Sequence, residues 1–168
     1  MKRAAAVLVV LLGTTTFIAA KGVTTRIEIT SPQLQTPVEI RDPEILQNFN
    51  VWSGPGTYSN GVASTEGFIV DWASGAVRER PQNLRTFGVS FYVKYANRPA
   101  NEQDDQLAYK VVYATDPSSG AGYVYLPGKS DEPFRLNTRA IFRGREGNWF
   151  RATAAWQKAV DRLIAQAR

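Results

Sequence analysis

Residues 87–126 constrain the fold more than any other part of this 168-residue chain, because two alternating apolar runs and a short third one are separated by a clear reversal. Phe87, Val89, Phe91, Val93 and Tyr95 fall two apart, with Gly88, Ser90, Tyr92 and Lys94 between them. That period is the signature of a half-buried strand. Leu107, Tyr109, Val111 and Tyr113 repeat the pattern, and Asp116-Pro117-Ser118-Ser119-Gly120 supplies turn residues before Tyr123 and Tyr125. With Thr115 set opposite Ala121, Tyr113 faces Tyr123 and Val111 faces Tyr125. One surface then carries Leu107, Tyr109, Val111, Tyr113, Tyr123 and Tyr125, and the other carries Ala108, Lys110, Val112, Ala114, Val124 and Leu126. Both are largely apolar, so each is expected to be covered.

The flanking segments supply the covers. Ile27 and Ile29 alternate with Arg26, Glu28 and Thr30, and Val38 and Ile40 flank Glu39, which predicts a hairpin with proline-marked edges. Asp42-Pro43-Glu44 has the capping acid, the first-turn proline and the acidic residue that open a helix, here a short one over residues 43–49. Phe68, Val70 and Trp72 alternate as a further strand. From an Asn148 cap, Trp149, Thr153, Trp156, Val160, Leu163, Ile164 and Ala167 recur at helical steps, an amphipathic C-terminal helix with one apolar stripe. The expected class is α+β: a predominantly antiparallel sheet, a meander that curls or is sandwich-like. A short N-terminal helix and a C-terminal amphipathic helix pack on it.

Lys2 and Arg3 precede the apolar residues 4–12, and Ile18-Ala19-Ala20 offers small residues before Lys21. This three-part pattern predicts a signal peptide over residues 1–20 and a single domain over residues 21–168. Gly13 and the following threonines leave the apolar run shorter than the roughly 20 residues of a spanning helix, which disfavours an uncleaved anchor. Removal of Lys2 and Arg3 leaves 18 basic residues against 15 acidic, a mild net charge of +3. Nucleic acid is therefore not an expected partner, nor is membrane insertion after cleavage. With no cysteine in the chain, neither disulfides nor a lipid-bearing cysteine is available, and stability must come from the core.

The absence of histidine and cysteine also removes the Ser-His-Asp triad, the thiol nucleophile and the usual zinc site. No catalytic residue, metal or cofactor is assigned. The surviving alternative is a carboxylate-based hydrolase acting on a glycan, with Glu66, Asp71, Asp131 and Glu132 as its candidate acids. Glu102, Asp104 and Asp105 bring three carboxylates into one loop, but not at the spacing of an EF-hand, so the loop reads as solvated. Pro127-Gly128-Lys129-Ser130 lacks the upstream glycine and the following helix of a phosphate-binding loop and reads as a turn.

Binding residues are easier to nominate. Trp52 and Tyr58 sit at and within a glycine-rich loop, where aromatic rings either line a ligand site or close the core. Tyr109, Tyr113, Tyr123 and Tyr125 would form an aromatic face if it were accessible. Arg139 and Arg143 are candidates for an anion site, weighed against the ordinary role of arginines as partners of Glu28, Glu39 and Glu132.

The segments from Gly122 to Lys129, from Phe134 to Asn137 and from Phe142 to Arg151 (Gly-Tyr-Val-Tyr-Leu-Pro-Gly-Lys, Phe-Arg-Leu-Asn and Phe-Arg-Gly-Arg-Glu-Gly-Asn-Trp-Phe-Arg) resemble segments of uncharacterised secreted bacterial proteins. The likeness spans most of the chain after residue 20. Those proteins have no assigned activity, so the resemblance implies a bacterial exported protein, periplasmic or extracellular, and carries over no site. The functional expectation is a non-catalytic extracytoplasmic domain that binds an envelope component, a protein or a small ligand.

Overall fold

The structure, a computed structural model, describes residues 22–55, 67–95, 105–137, 142 and 144–167, together with the backbone of residues 57–59 and 62–64. Strands β1 (Val23–Thr30), β2 (Val38–Ile40), β5 (Arg85–Lys94), β6 (Gln106–Thr115), β7 (Gly122–Tyr125) and β8 (Trp149–Arg151) form one open antiparallel sheet in the order β2-β1-β5-β6-β7-β8. The strands β3 (Thr57–Ser59) and β4 (Val62–Ser64) make a separate hairpin. Three helices complete the described chain: α1 (Pro43–Leu46), α2 (Phe134–Asn137) and α3 (Ala154–Gln166). The fold is α+β, dominated by the antiparallel sheet.

The two long strands predicted from residues 87–126 are β5 and β6, but their register corrects the expected faces. Thr115 pairs with Gly122 rather than Ala121, so Tyr113 lies opposite Val124 and Ala114 opposite Tyr123. The reversal holds one residue more than expected because Asp116 organises it. Its backbone amide donates to the Ala121 carbonyl, its carboxylate accepts from the Ser118 amide and from the Ser118 and Ser119 hydroxyls, and Gly120 takes a left-handed φ of 70°. A slip of one residue moves a whole strand to the opposite face. Tyr109 and Tyr113 therefore face the core, whereas Tyr123 and Tyr125 face outward. A bulge at Ala108, between the Phe91–Tyr109 and Tyr92–Leu107 pairs, also removes Leu107 from the face of Tyr109.

One sheet face is wholly buried: Ile27, Ile29, Val38, Ile40, Phe87, Val89, Phe91, Val93, Tyr109, Val111, Tyr113, Val124 and Phe150. Across it lies α3, whose Trp156, Val160 and Ile164 form the expected stripe. The Trp156 ring stands edge-on to Phe49 at 5.1 Å and to Tyr113 at 5.9 Å. The helix starts later than Asn148, however. Thr153 is its cap, accepting from the Trp156 amide, while Asn148 donates to the carbonyls of Arg145 and Glu146 and Trp149 belongs to β8. Pairing with β7 took the segment that helical spacing alone assigned to the helix.

Residues 68–72 do not form the expected strand. Phe68, Ile69 and Val70 are buried consecutively, Phe68 has a φ of 62°, and single bridges join Val70 to Ala152 and Ala76 to Phe150. This irregular segment closes the edge of β8 and wedges Phe68 among Phe91, Tyr109 and Phe142. Among the described residues the outer sheet face has no comparable cover: Arg26, Glu28, Tyr92, Lys110, Val112, Tyr123, Tyr125 and Arg151 are half-buried or exposed.

Candidate binding groove

The sheet leaves a gap where its first two strands part. β1 has eight residues and β2 three, and β2 pairs only with Ile27, Glu28 and Ile29. Beyond Ile40 the chain turns away because Asp42 and Pro43 start α1: Asp42 accepts from the Glu44 amide at 2.9 Å, and proline has no amide to extend a ladder. α1 buries Leu46, and the chain then sinks Phe49 and Val51 into the core. An Asn50 carboxamide accepting from the Trp52 amide at 2.9 Å turns the Trp52 indole back toward β1, where its Nε1 donates to the Gly22 carbonyl at 2.8 Å.

Between these walls lies a groove of about 640 Å³. Val23, Pro43, Leu46 and Trp52 make its apolar surface, and Thr25, Arg41, Gln47 and Asn50 its polar one. Val23 is 69% exposed, the one large hydrophobic residue so open among the described residues. The rim is a charge network. Arg26 meets Glu28 at 2.9 Å and Glu39 at 3.3 Å, Arg41 meets Glu39 at 3.0 Å and Asp105 at 3.6 Å, and the Thr25 hydroxyl donates to Asp105 at 2.8 Å. The Arg26 guanidinium stacks 3.5 Å from the Tyr92 ring centre. Burial opposes the Arg26 charge, but Tyr92, Glu28 and Glu39 outweigh it and raise its pKa.

Among the described residues, Trp52 is the one nominated residue that lines this groove. Tyr109 and Tyr113 are fully buried, at 0% exposure, and act as core: burial raises the pKa of both, and the Tyr113 hydroxyl donates to Asp161 at 2.9 Å. Tyr123 and Tyr125 lie on the opposite sheet face. Tyr125 donates to Asp131 at 2.7 Å and packs 5.2 Å from Trp149, and Arg151 sits 5.2 Å over Tyr123. The four tyrosines thus form no single platform. The Tyr58 side chain, Arg139, Arg143 and residues 1–20, where a signal segment is expected, lie outside the described residues.

The candidate acids are engaged locally. Asp71 is held in a turn by Ser74, whose hydroxyl bond, followed by weaker effects, lowers its pKa. Asp131 accepts from both Tyr125 and the Gly128 amide, which locks the turn at residues 128–131. Glu132 is exposed, and Glu66 lies outside the described residues. Asp105 faces arginines, Glu102 and Asp104 are outside the described residues, and no cluster suited to a metal ion occurs among the described ones. No family model matches the chain, and neither a curated protein nor a solved structure matches it.

Sequence reasoning missed Arg41, Thr25, Asn50 and Asp105 as parts of one site, because they come from four segments. One signal was available: the alternation runs longer over residues 24–30 than over residues 38–40, so the second strand can pair with only part of the first.

Proposed function

We propose that this is a non-catalytic binding domain of the bacterial envelope. It takes an envelope component, a protein or a small ligand in the groove beside Trp52. The observation that carries this reading is the groove itself: a concavity of about 640 Å³ in which an indole, an exposed valine and several hydrogen-bonding side chains converge. A few placed polar groups in an apolar cleft are the usual make-up of a binding site. The engagement of Asp71 and Asp131 in turns supports binding over carboxylate hydrolysis.

Export is part of the proposal. It rests on Lys2, Arg3, the apolar residues 4–12 and the small residues before Lys21, which place the domain from residue 21 in the periplasm or outside the cell. Capture from native envelope extract by the protein and by Trp52→Ala tests the binding reading, with a thermal melt to show that the variant folds. A partner enriched by the first and lost by the second is the expected result, and equal capture overturns the assignment of the groove.

A further inference from the structure

The side chains lining the groove differ in what they have left to offer a ligand. Trp52 has spent its one polar group, since its indole Nε1 donates to the Gly22 carbonyl, and the Asn50 carboxamide fixes its backbone amide. What the Trp52 side chain presents is therefore carbon surface, on a ring tied at two points, beside Val23, Pro43 and Leu46. Asn50 gives its Oδ1 to the Trp52 amide and keeps both N–H groups of Nδ2. Gln47 gives Nε2 to the Glu44 carbonyl at 3.3 Å and keeps Oε1 as an acceptor. The Thr25 hydroxyl donates to Asp105 and keeps its accepting capacity. Donors and acceptors are thus both unspent, and both border an apolar surface.

Charge narrows the ligand further. Among the described residues Arg41 is the one charged side chain in the lining, and two carboxylates already hold it, Glu39 at 3.0 Å and Asp105 at 3.6 Å. An anion would have to compete with both for the guanidinium, and a cation would face the guanidinium itself. We infer that the groove takes a neutral saccharide, with a carbon face of one sugar ring laid on Trp52 and hydroxyls bonded to Asn50, Gln47 and Thr25. This rests on the groove being the binding site and names its ligand class. A hydroxyl both donates and accepts, so it suits a lining that mixes the two, whereas a carboxylate uses only donors and an ammonium only acceptors. A sugar ring carries C–H groups on its faces and hydroxyls around its rim, which matches carbon surface bordered by amide and hydroxyl groups. The volume of about 640 Å³ is that of a small-ligand site and suits a few rings of a glycan.

The test titrates the isotope-labelled protein at millimolar ligand and follows the side-chain resonances of Trp52, Asn50 and Gln47. The probes are neutral trisaccharides of glucose and of N-acetylglucosamine, a cationic trisaccharide of glucosamine at mildly acidic pH, an anionic trisaccharide of galacturonic acid, and an uncharged peptide of alternating Val and Ser. At least one neutral trisaccharide should shift all three side chains and bind more tightly than either charged one. Added salt should leave its affinity unchanged, because no ion pair forms. Asn50→Asp keeps an oxygen for the Trp52 amide and removes the two N–H groups, so it should weaken binding by roughly threefold to tenfold, the loss of one hydrogen bond. Trp52→Ala should weaken it at least as much, with thermal melts to show that both variants fold.

Tighter binding of a charged trisaccharide, with an affinity that falls as salt rises, overturns the neutral ligand. Shifts caused by the peptide and by none of the sugars make the occupant a peptide and overturn the saccharide. Unchanged affinity in Asn50→Asp overturns the hydroxyl contacts from which the sugar is inferred. Absence of any shift with every probe, while envelope capture still depends on Trp52, overturns the saccharide and leaves a groove that binds. If capture is also independent of Trp52, the groove reading itself fails.

Discussion

Replacing Asn137 by alanine should destabilise the protein far more than its place on a four-residue helix suggests. β7 ends at Tyr125 and, among the described residues, leaves the first half of β6 without a strand on that side. Asn137 fills that place with one side chain. Its Oδ1 accepts from the Lys110 amide at 2.7 Å and its Nδ2 donates to the Lys110 carbonyl, which imitates the double bond of a paired strand residue. The residue is fully buried, at 0% exposure. Alanine would leave both Lys110 groups without a partner, and each buried group so orphaned costs about 1–3 kcal/mol. The Lys110 side chain is exposed, so water can reach part of the vacancy, and the lower half of the range applies. About 3 kcal/mol is expected in total, from roughly 1.5 for each group. For a chain of this size that corresponds to a Tm lowered by about 6–12 °C. Denaturant unfolding gives the free energy, and hydrogen exchange of the Lys110 amide gives the mechanism. A loss below about 1 kcal/mol, with the Lys110 amide still protected, would refute the strand-imitating role.

Other perturbations separate core from groove. Trp156→Ala should cost about 3–5 kcal/mol in denaturant melts, because its ring is fully buried against Phe49, Phe91 and Tyr113. Trp52→Ala, at a half-buried residue, should cost distinctly less while abolishing capture of the envelope partner. Of the seven tyrosines, Tyr109 and Tyr113 should fail to ionise in an ultraviolet titration until the protein unfolds. A raised folded pKa means the stabilisation is complete below the unfolded value near pH 10 and is lost as pH rises above it, so alkaline unfolding should shift to higher pH in Tyr113→Phe. Asp116 is the opposite case. Ser118 and Ser119 hold its pKa down at about 2, so its contribution is present above pH ~4 and fades as pH falls toward 2. Asp116→Asn should flatten the stability profile within that window and lower stability by a constant amount above it, neutral pH included.

How much of this was legible in the sequence differs from element to element. The alternation of Phe87, Val89, Phe91 and Val93 is a strand pattern because period two and one apolar face are properties of the backbone itself, and the same holds for the Trp156, Val160, Ile164 stripe of α3. The Asp42-Pro43-Glu44 helix start was equally local, resting on one side chain and one ring. Trp149 was misplaced because its helical spacing to Thr153 and Trp156 is real, yet it pairs with Tyr125 in the sheet and its carbonyl accepts from the Val77 amide. The irregular segment at residues 68–72 was misread because three consecutive buried residues carry no period, and an alternation was imposed on two of its faces.

The groove was the least legible part. Trp52 could be nominated because an aromatic ring beside a glycine-rich loop is conspicuous, but its partners Gly22, Thr25, Arg41 and Asp105 are spread over more than eighty residues of chain. The sequence by itself determined where the two long central strands and the apolar stripe of the C-terminal helix lie, and that the core is built without disulfides. It also excluded the chemistries that need histidine or cysteine, because composition and period are written along one dimension. Only the tertiary structure decided which tyrosines are inside and how much of β1 is paired by β2. Both depend on register: one extra residue in the Asp116 turn sends Tyr123 and Tyr125 outward, and the shortness of β2 exposes the start of β1. Register is set by hydrogen bonds between segments, and those exist only once the segments have met.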